Sequence, residues 1–293
     1  MYASPPGNVT HRILRRALYF VLPAPCLACA QPVWATRDSL GLCPRCRRRL
    51  VRWPGGCGIC GRPIPGEAPG GRTPGGRTPE GRTPARRCGE CRRRPPPYRR
   101  LLSAWSYQHP ADAVLVGLKF RRLEYLGDHL GRRLGELFRR QLMSCDLVVP
   151  VPLHWRRRLS RGYNQAVAIA RPLGRTLGLP VASVLRRRRA TPPQSRLHKK
   201  ERRRNLRHAF AVRRPVVWRT GRCRGRHVLL VDDVVTTGAT LEAAARCLQR
   251  AGAREVTALT AARTPTRQEA LLLPKPPEWV EAPDASGFLG SGL

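Results

Sequence analysis

Beyond residue 100, solid apolar runs alternate with segments of helical rhythm. Leu101 to Tyr107, Leu147 to Val151, Val181 to Leu185, Val228 to Val231 and Glu255 to Leu259 are too short for buried helices and read as strands. Between them, apolar positions at helical spacing predict helices over Ala111 to Leu118, Leu126 to Leu142, Gly162 to Leu177 and Leu241 to Ala251. The third of these contains Pro172 and should be bent or interrupted there. Alternating strands and helices predict an α/β domain over residues 101–265, with a mainly parallel sheet covered on both faces. Outside that range the rhythm fails. Residues 1–22 hold one short amphipathic helix over 11–22 (Ile13, Leu14, Leu18, Phe20), which stops at Pro23. After Pro265 the periodicity is lost, so residues 266–293 read as a disordered tail.

One strand carries chemistry. Val228-Leu229-Leu230-Val231 runs directly into Asp232 and Asp233, then through Val234, Val235, Thr236, Thr237, Gly238, Ala239 and Thr240 into an alanine-rich helix. A helix start offers unpaired N–H groups and the positive end of a dipole, so it attracts anions. The threonines add hydroxyl donors, and Gly238 lets the backbone approach a ligand closely. Two carboxylates just before that cradle would repel a bare phosphate. They suit a sugar phosphate, with its diol on Asp232 and Asp233 and its phosphate on the loop that follows. An ordinary buried strand with an Asp turn and a Thr cap would need only one acid and one threonine. Ligands of open α/β sheets gather at the carboxyl ends of strands, where these acids begin.

Residues 23–94 have a different character. Cys26/Cys29, Cys43/Cys46, Cys57/Cys60 and Cys88/Cys91 are four C-x-x-C pairs. Each pair can grip one side of a tetrahedral Zn²⁺, so the eight sulfurs make two closed, structural four-sulfur sites. Sequential pairing is the simplest arrangement, and crossed pairing stays open. A redox dithiol would account for one pair but not for four in series. Cys145, Cys223 and Cys247 lack such partners and read as ordinary thiols. Within this module, residues 66–85 are an insert in which Gly70-Gly71-Arg72-Thr73-Pro74 recurs at Gly75 to Pro79 and nearly again at Glu80 to Pro84. Such a composition cannot bury a core and reads as a loop grown by duplication. Arg92 to Arg100, with Pro95-Pro96-Pro97, reads as the linker.

The formal net charge is +38, from 56 Lys and Arg against 18 Asp and Glu, and only Lys119, Lys199, Lys200 and Lys275 are lysines. Codon bias and affinity for polyanions both predict this arginine excess. Cysteines arranged for metal rather than disulfides point to a reducing, cytoplasmic setting. Arg15-Arg16 and the short apolar run before Cys26 imitate a lipoprotein signal only faintly. No run is long enough to span a membrane, so no membrane insertion is expected. Walker, H-E-x-x-H and G-x-S-x-G motifs are missing, which removes the usual support for nucleotide hydrolysis, zinc proteolysis and serine hydrolysis.

Two further segments complete the picture. Val149-Pro150-Val151-Pro152 closes a strand and leads into an arginine-rich stretch ending Arg161-Gly162-Tyr163-Asn164-Gln165, where Arg158 and Arg161 could grip a second anionic group. Gln194 to Phe210 is long, polar and cationic, and has the placement of a lid containing Arg202. A basic surface loop and a solvated linker are their plainer readings.

The Asp232–Thr240 pattern resembles the phosphoribosyl diphosphate (PRPP) motif of type I phosphoribosyltransferases. The cysteine module directly before such a core, with Arg161 to Gln165 and with Gln194, Leu197, Arg202, Asn205 and Phe210, resembles the ComF family of competence-associated proteins. The resemblance covers about residues 9 to 265 and leaves out the repeat insert and the tail. It implies a double zinc ribbon before a type I phosphoribosyltransferase fold, PRPP with Mg²⁺ as ligand, and ribose hydroxyls on Asp232 and Asp233. It also implies a 5′-phosphate on Val234 to Thr240, pyrophosphate near Arg158, Arg161 and Arg202, and a role with incoming DNA in natural transformation. No acceptor is implied. The alternative is a non-catalytic, PRPP-responsive scaffold whose basic zinc module binds single-stranded DNA or a helicase partner. Trp34, Trp53, Trp105 and Trp155 would then be candidate base-stacking residues, although burial is the commoner fate of tryptophan.

Overall fold

The computed structural model describes residues 23–33, 40–65, 86–121, 123–142, 144–153, 161–188, 209–212 and 223–274. The helix expected over 11–22, the insert 66–85, Trp34, Trp155, Arg158, Arg202, most of the lid segment and the tail beyond 274 lie outside the described residues.

The cysteine module contains β1 (Ala24–Pro25), β2 (Pro32–Val33), α1 (Pro44–Arg48) and α2 (Gly89–Arg93). The core follows as β3 (Arg100–Ser106), α3 (Ala111–Phe120), α4 (Tyr125–Leu142), β4 (Leu147–Pro150), α5 (Gln165–Leu177), β5 (Leu185–Arg187), β6 (Phe210–Val212), β7 (His227–Val235), α6 (Ala239–Arg250), β8 (Glu255–Arg263) and α7 (Arg267–Ala270). The main sheet has the order β3-β8-β7-β4 and is parallel throughout.

Alternation along each strand sorts its side chains between two cores. In β7, Leu229 and Val231 face α3, α4 and α5 with Leu115, Leu118, Leu126, Leu130 and Ile169. Val228 and Leu230 face the other way, toward Leu241, Ala244 and Leu248 of α6. Along α4, glycines at 127, 131 and 135 form one stripe, and α5 packs against it. A Cβ at Gly131 would stand 2.3 Å from the Ile169 carbonyl oxygen and 2.4 Å from Pro172 Cγ. Pro172 therefore fills the glycine notch, and α5 runs on through it from Gln165 to Leu177, which corrects the expected interruption.

Three other expectations change. Val181 to Leu185 is not a strand of the sheet: Val181 makes a single parallel bridge to Val148, and Leu185 begins the separate antiparallel ribbon β5–β6. Both β7 and β8 run four residues past their expected ends, because each continues to pair beyond its apolar run through Asp232↔Thr260, Val234↔Ala262 and Val235↔Arg263. Residues 266–274 are ordered rather than part of a loose tail. Thr266 and Glu269 make a reciprocal capping box at the start of α7, and Leu273 is buried.

The cysteine module also closes the sheet. The segment between the two halves of the module runs antiparallel to the outer edge of β3: Trp53 N–H donates to the Ala104 carbonyl (2.9 Å), Ser106 N–H donates to that of Val51 (2.9 Å), and Arg52 bridges Trp105. An edge strand with unpaired backbone groups invites association, and this segment satisfies them. Trp53 and Trp105 are buried as a result, so neither presents a face for base stacking. Among the described residues no helix is long and apolar enough to cross a membrane.

Candidate ligand cleft and cysteine tetrads

The eight cysteines assemble as Cys26/Cys29/Cys43/Cys46 and Cys57/Cys60/Cys88/Cys91, with all sulfurs of a group within 4.8 Å of one another. The pairing is sequential. Four ligands at about 2.3 Å from a tetrahedral zinc stand about 3.8 Å apart. Cys29 and Cys43 sulfurs are 3.7 Å apart, as are those of Cys60 and Cys88. Backbone N–H groups also point at the sulfurs: Cys43 N–H at Cys26 Sγ (3.3 Å), Cys46 N–H at Cys43 Sγ (3.4 Å) and Cys88 N–H at Cys57 Sγ (3.3 Å). Such donors favour thiolates over thiols. In the second group Cys57 is pulled down to about 4 by the hydrogen bond from Cys60, and Cys60 is driven far up by the same interaction. Each group of four sulfurs could hold zinc.

The second candidate site lies at the carboxyl end of β7. Asp232 and Asp233 sit within the strand, and Val234 and Val235 complete it. Thr236 and Thr237 turn the chain, Gly238 takes φ 83° as the N-cap, and Ala239 and Thr240 open α6. A side chain at Gly238 would meet ordinary packing, since the nearest atom, Tyr98 Oη, would stand 3.6 Å from its Cβ. The left-handed backbone is the constraint there. Thr237 Oγ1 accepts weakly from Ala239 N–H (3.4 Å), and no side chain caps the start of α6. The helix end remains suited to an anion.

These residues line a cleft of about 300 Å³: Asp232, Val234 to Leu241, and also Tyr107, Lys119 and Thr264. The acids are held in place locally, since Asp232 Oδ1 accepts from Asp233 N–H (2.9 Å) and Asp233 Oδ1 from Val234 N–H (2.6 Å). Burial, then the neighbouring Asp233 charge, pushes the Asp232 carboxyl up to about 8. The charges of Lys119 and Arg187 oppose that rise. Lys119 Nζ lies 3.2 Å from Asp233 Oδ2 and 5.7 Å from the centre of the Tyr107 ring.

Tyr107, Lys119 and Thr264 escaped the reading of the motif because they come from other parts of the chain. Lys119 left one trace, as one of only four lysines in a chain rich in arginine. Arg161, expected to face a diphosphate, instead lies over the Phe120 ring (4.9 Å) and donates to Gln165 Oε1 (3.4 Å). It is not among the residues that line the cleft. In the same segment, the Tyr163 hydroxyl donates to the Leu118 carbonyl and Asn164 caps α5.

The phosphoribosyl transferase domain family matches residues 159–274. The chain is 36% identical over 249 residues to the DNA utilization protein YhgH of Salmonella typhimurium, covering 83% of this chain and 98% of that protein. It is 29% identical to competence protein F of Haemophilus influenzae, over 74% of this chain and 87% of that one. Over 121 residues it is 34% identical to competence protein ComFC of Bacillus subtilis, spanning 40% of this chain and 45% of the relative.

Proposed function

The chain belongs to the ComF family of competence-associated proteins, a cysteine module joined to a type I phosphoribosyltransferase core, and from that premise we propose that its cleft binds PRPP together with Mg²⁺. The observation that carries this reading is the order of groups along the cleft wall. Asp232 and Asp233 lie in β7 just before Val234 and Val235 end it, Asp232 in the cleft wall and Asp233 behind it against Lys119. Within seven residues of Asp232 the chain reaches a helix start with Gly238 in the left-handed conformation. Phosphate on the Thr236–Thr240 turn leaves a ribose beside Asp232 and Asp233, whose oxygens accept from its hydroxyls. Carboxylate oxygens also suit a hard divalent cation, which would balance the charge of the diphosphate. With the ligand so fixed, the protein's contribution to transfer is positioning and charge stabilisation at the loosening ribose–oxygen bond. The acceptor is not specified by these residues. In this reading the two tetrads hold Zn²⁺ as structural ions and the protein works in DNA utilisation and competence in the cytoplasm. The relatives' names support the process, and cysteines arranged for metal rather than disulfides support the compartment.

The test is a thermal melt with PRPP and Mg²⁺. Ligand at a hundred times its dissociation constant adds about 2.7 kcal/mol, or roughly 5 to 10 °C. Wild type should shift and Asp232→Ala/Asp233→Ala should not; a wild type that stays unmoved at saturating PRPP overturns the reading. A second reading rests on Arg45, Arg47 and Arg48 of α1 and Arg92, Arg93 and Arg94 at α2, all exposed. They give the cysteine module a surface for single-stranded DNA. That binding should fall steeply with salt and persist in the double Asp variant. Capture of a helicase without DNA binding would assign the same surface to a protein partner.

A further inference from the structure

Nothing in that function uses Lys119. Its side chain leaves the last turn of α3, passes the Tyr107 ring and ends at Asp233, with both members of the pair mostly buried (16% and 14% exposed). A simple tie between α3 and β7 would sit within the packing. Here Lys119 itself lines the cleft that also contains the Thr236–Thr240 turn, while Asp233, its partner, stands just behind that wall. An ammonium carries three donors, and among the described residues its partners are one carboxylate and one ring face. It therefore has donors left for a ligand.

The end of α3 is also held in position from outside. The Tyr163 hydroxyl donates to the Leu118 carbonyl, one residue before Lys119, and the Arg161 guanidinium covers Phe120, one residue after it. Both come from the segment that follows β4. Arg161 and Tyr163, which do not line the cleft, thus fix the helix end from which Lys119 reaches into it.

We propose that Lys119 is a ligand-binding cation built into the cleft. In the ligand-free protein it neutralises Asp233, and on binding it moves to the diphosphate oxygens and releases the carboxylate to the ribose. Arg161 and Tyr163 act as its positioning residues. This rests on the PRPP reading of the cleft and extends it: the chain itself supplies one of the charges that a diphosphate requires. A flexible, compact ammonium suits such a handover better than a guanidinium fork, which accounts for a lysine at this place in an arginine-rich chain.

Inorganic pyrophosphate, measured by calorimetry without divalent ions at low salt, is the probe. Lys119→Met keeps the stem against Tyr107 and removes the charge, and should weaken pyrophosphate binding about 10- to 100-fold. Asp233→Asn removes the competitor for the ammonium and should tighten pyrophosphate several-fold, a gain that vanishes in the Lys119→Met/Asp233→Asn variant. Tyr163→Phe should weaken it about threefold, because the helix end loses one fastening. Loss of the Asp233→Asn gain in the double variant excludes a merely structural lysine. Lys119→Gln, which keeps a donor for Asp233 but not the charge, takes the place of Lys119→Met in both comparisons should that variant fail to fold. Pyrophosphate binding that ignores Lys119→Met, or an Asp233→Asn gain that survives in the double variant, overturns the role of Lys119 while PRPP binding stands. A wild type that binds neither PRPP nor pyrophosphate overturns the cleft itself.

Discussion

The two cysteine tetrads have the same spacing within each pair and the same sulfur geometry, yet they are attached to the protein by different forces. Cys26, Cys43 and Cys46 are part of the main apolar core, in contact with the helical layer of Leu115, Leu118 and Leu126. Leu27, inside the first knuckle, reaches so close to Gly41 that a Cβ there would meet its Cδ1 at 2.7 Å. The second tetrad forms a small cluster of its own, Cys57, Cys60 and Cys91 with Ile59, Ile64 and Cys88. Among the described residues its one apolar link is Ile59, which packs against the core on the α6 side, and its other ties are polar. Leu101 N–H donates to the Ile59 carbonyl (2.7 Å), Arg263 donates to the Cys60 carbonyl and lies over Trp53 (5.3 Å), and Arg62 pairs with Glu90 (2.9 Å) and Glu269 (3.5 Å). Arg263 ends β8, and the next residue, Thr264, donates to the Val235 carbonyl (2.9 Å) and lines the cleft. One tetrad supports the core, and the other is tied to the ligand site.

The largest effect that follows is an inequality between equivalent mutations. Cys46→Ser should uncover the apolar face of α3 and α4 and leave little soluble protein, with any remainder melting more than about 10 °C lower. Cys60→Ser removes a ligand from a cluster that the core does not depend on. It should lower the melt by about half as much or less, yet abolish the PRPP-induced shift because β8 loses its anchor beside the cleft. Equal losses of stability in the two variants would erase the distinction.

Arg263 gives the next test. It is 2% exposed, and burial, the largest influence on it, lowers its affinity for its proton. A buried guanidinium needs compensation. A zinc held by four thiolates carries about −2, and Arg263 and Arg62 stand beside the second tetrad to meet that charge. Arg263→Met keeps the length of the side chain but leaves the Cys60 carbonyl without its donor. The expected cost is about 2 kcal/mol, or roughly 4 to 8 °C. Zinc release to a chelator should quicken for one of the two ions only. Quickening of both would mean that the guanidinium supports the module as a whole.

How far the sequence could reveal this differs by element. The tetrads and the acid–threonine turn were legible because each is a local pattern: two sulfurs in one knuckle, or a strand, turn and helix start in thirteen consecutive residues. The alternation of strands and helices was legible for the same reason. Strand ends were not, since β7 and β8 continue through Asp232, Thr260 and Thr264's neighbour Arg263 by pairing with each other, which no single segment announces. Val181 to Leu185 has strand composition but finds only one bridge, while Pro172 stays in its helix because Gly131 on another helix makes room. Lys119, Tyr107 and Arg263 owe their places to contacts across more than a hundred residues: Lys119 to Asp233, Tyr107 through its N–H to the Arg263 carbonyl (2.7 Å), and Arg263 to Cys60.

The smallest effect isolates the charge in the link between the second tetrad and the site. Glu269 does two jobs: one oxygen accepts from Thr266 N–H (2.8 Å) in the capping box, and the other lies 3.5 Å from Arg62 Nε. Glu269→Gln keeps an acceptor for the first and removes the charge from the second. Arg62 retains Glu90, so the loss should be about 1 kcal/mol, or roughly 2 to 4 °C, with a modest rise in zinc release from one site. Glu269→Ala removes the cap as well and should cost about 1 kcal/mol more. The informative comparison is with Arg62→Met, alone and combined with Glu269→Gln. If the ion pair transmits, the combined loss is smaller than the sum of the single losses by roughly 0.5 kcal/mol or more. If the losses simply add, α7 and the tetrad are independent neighbours, and Arg263 alone carries the connection from the cysteines to the cleft.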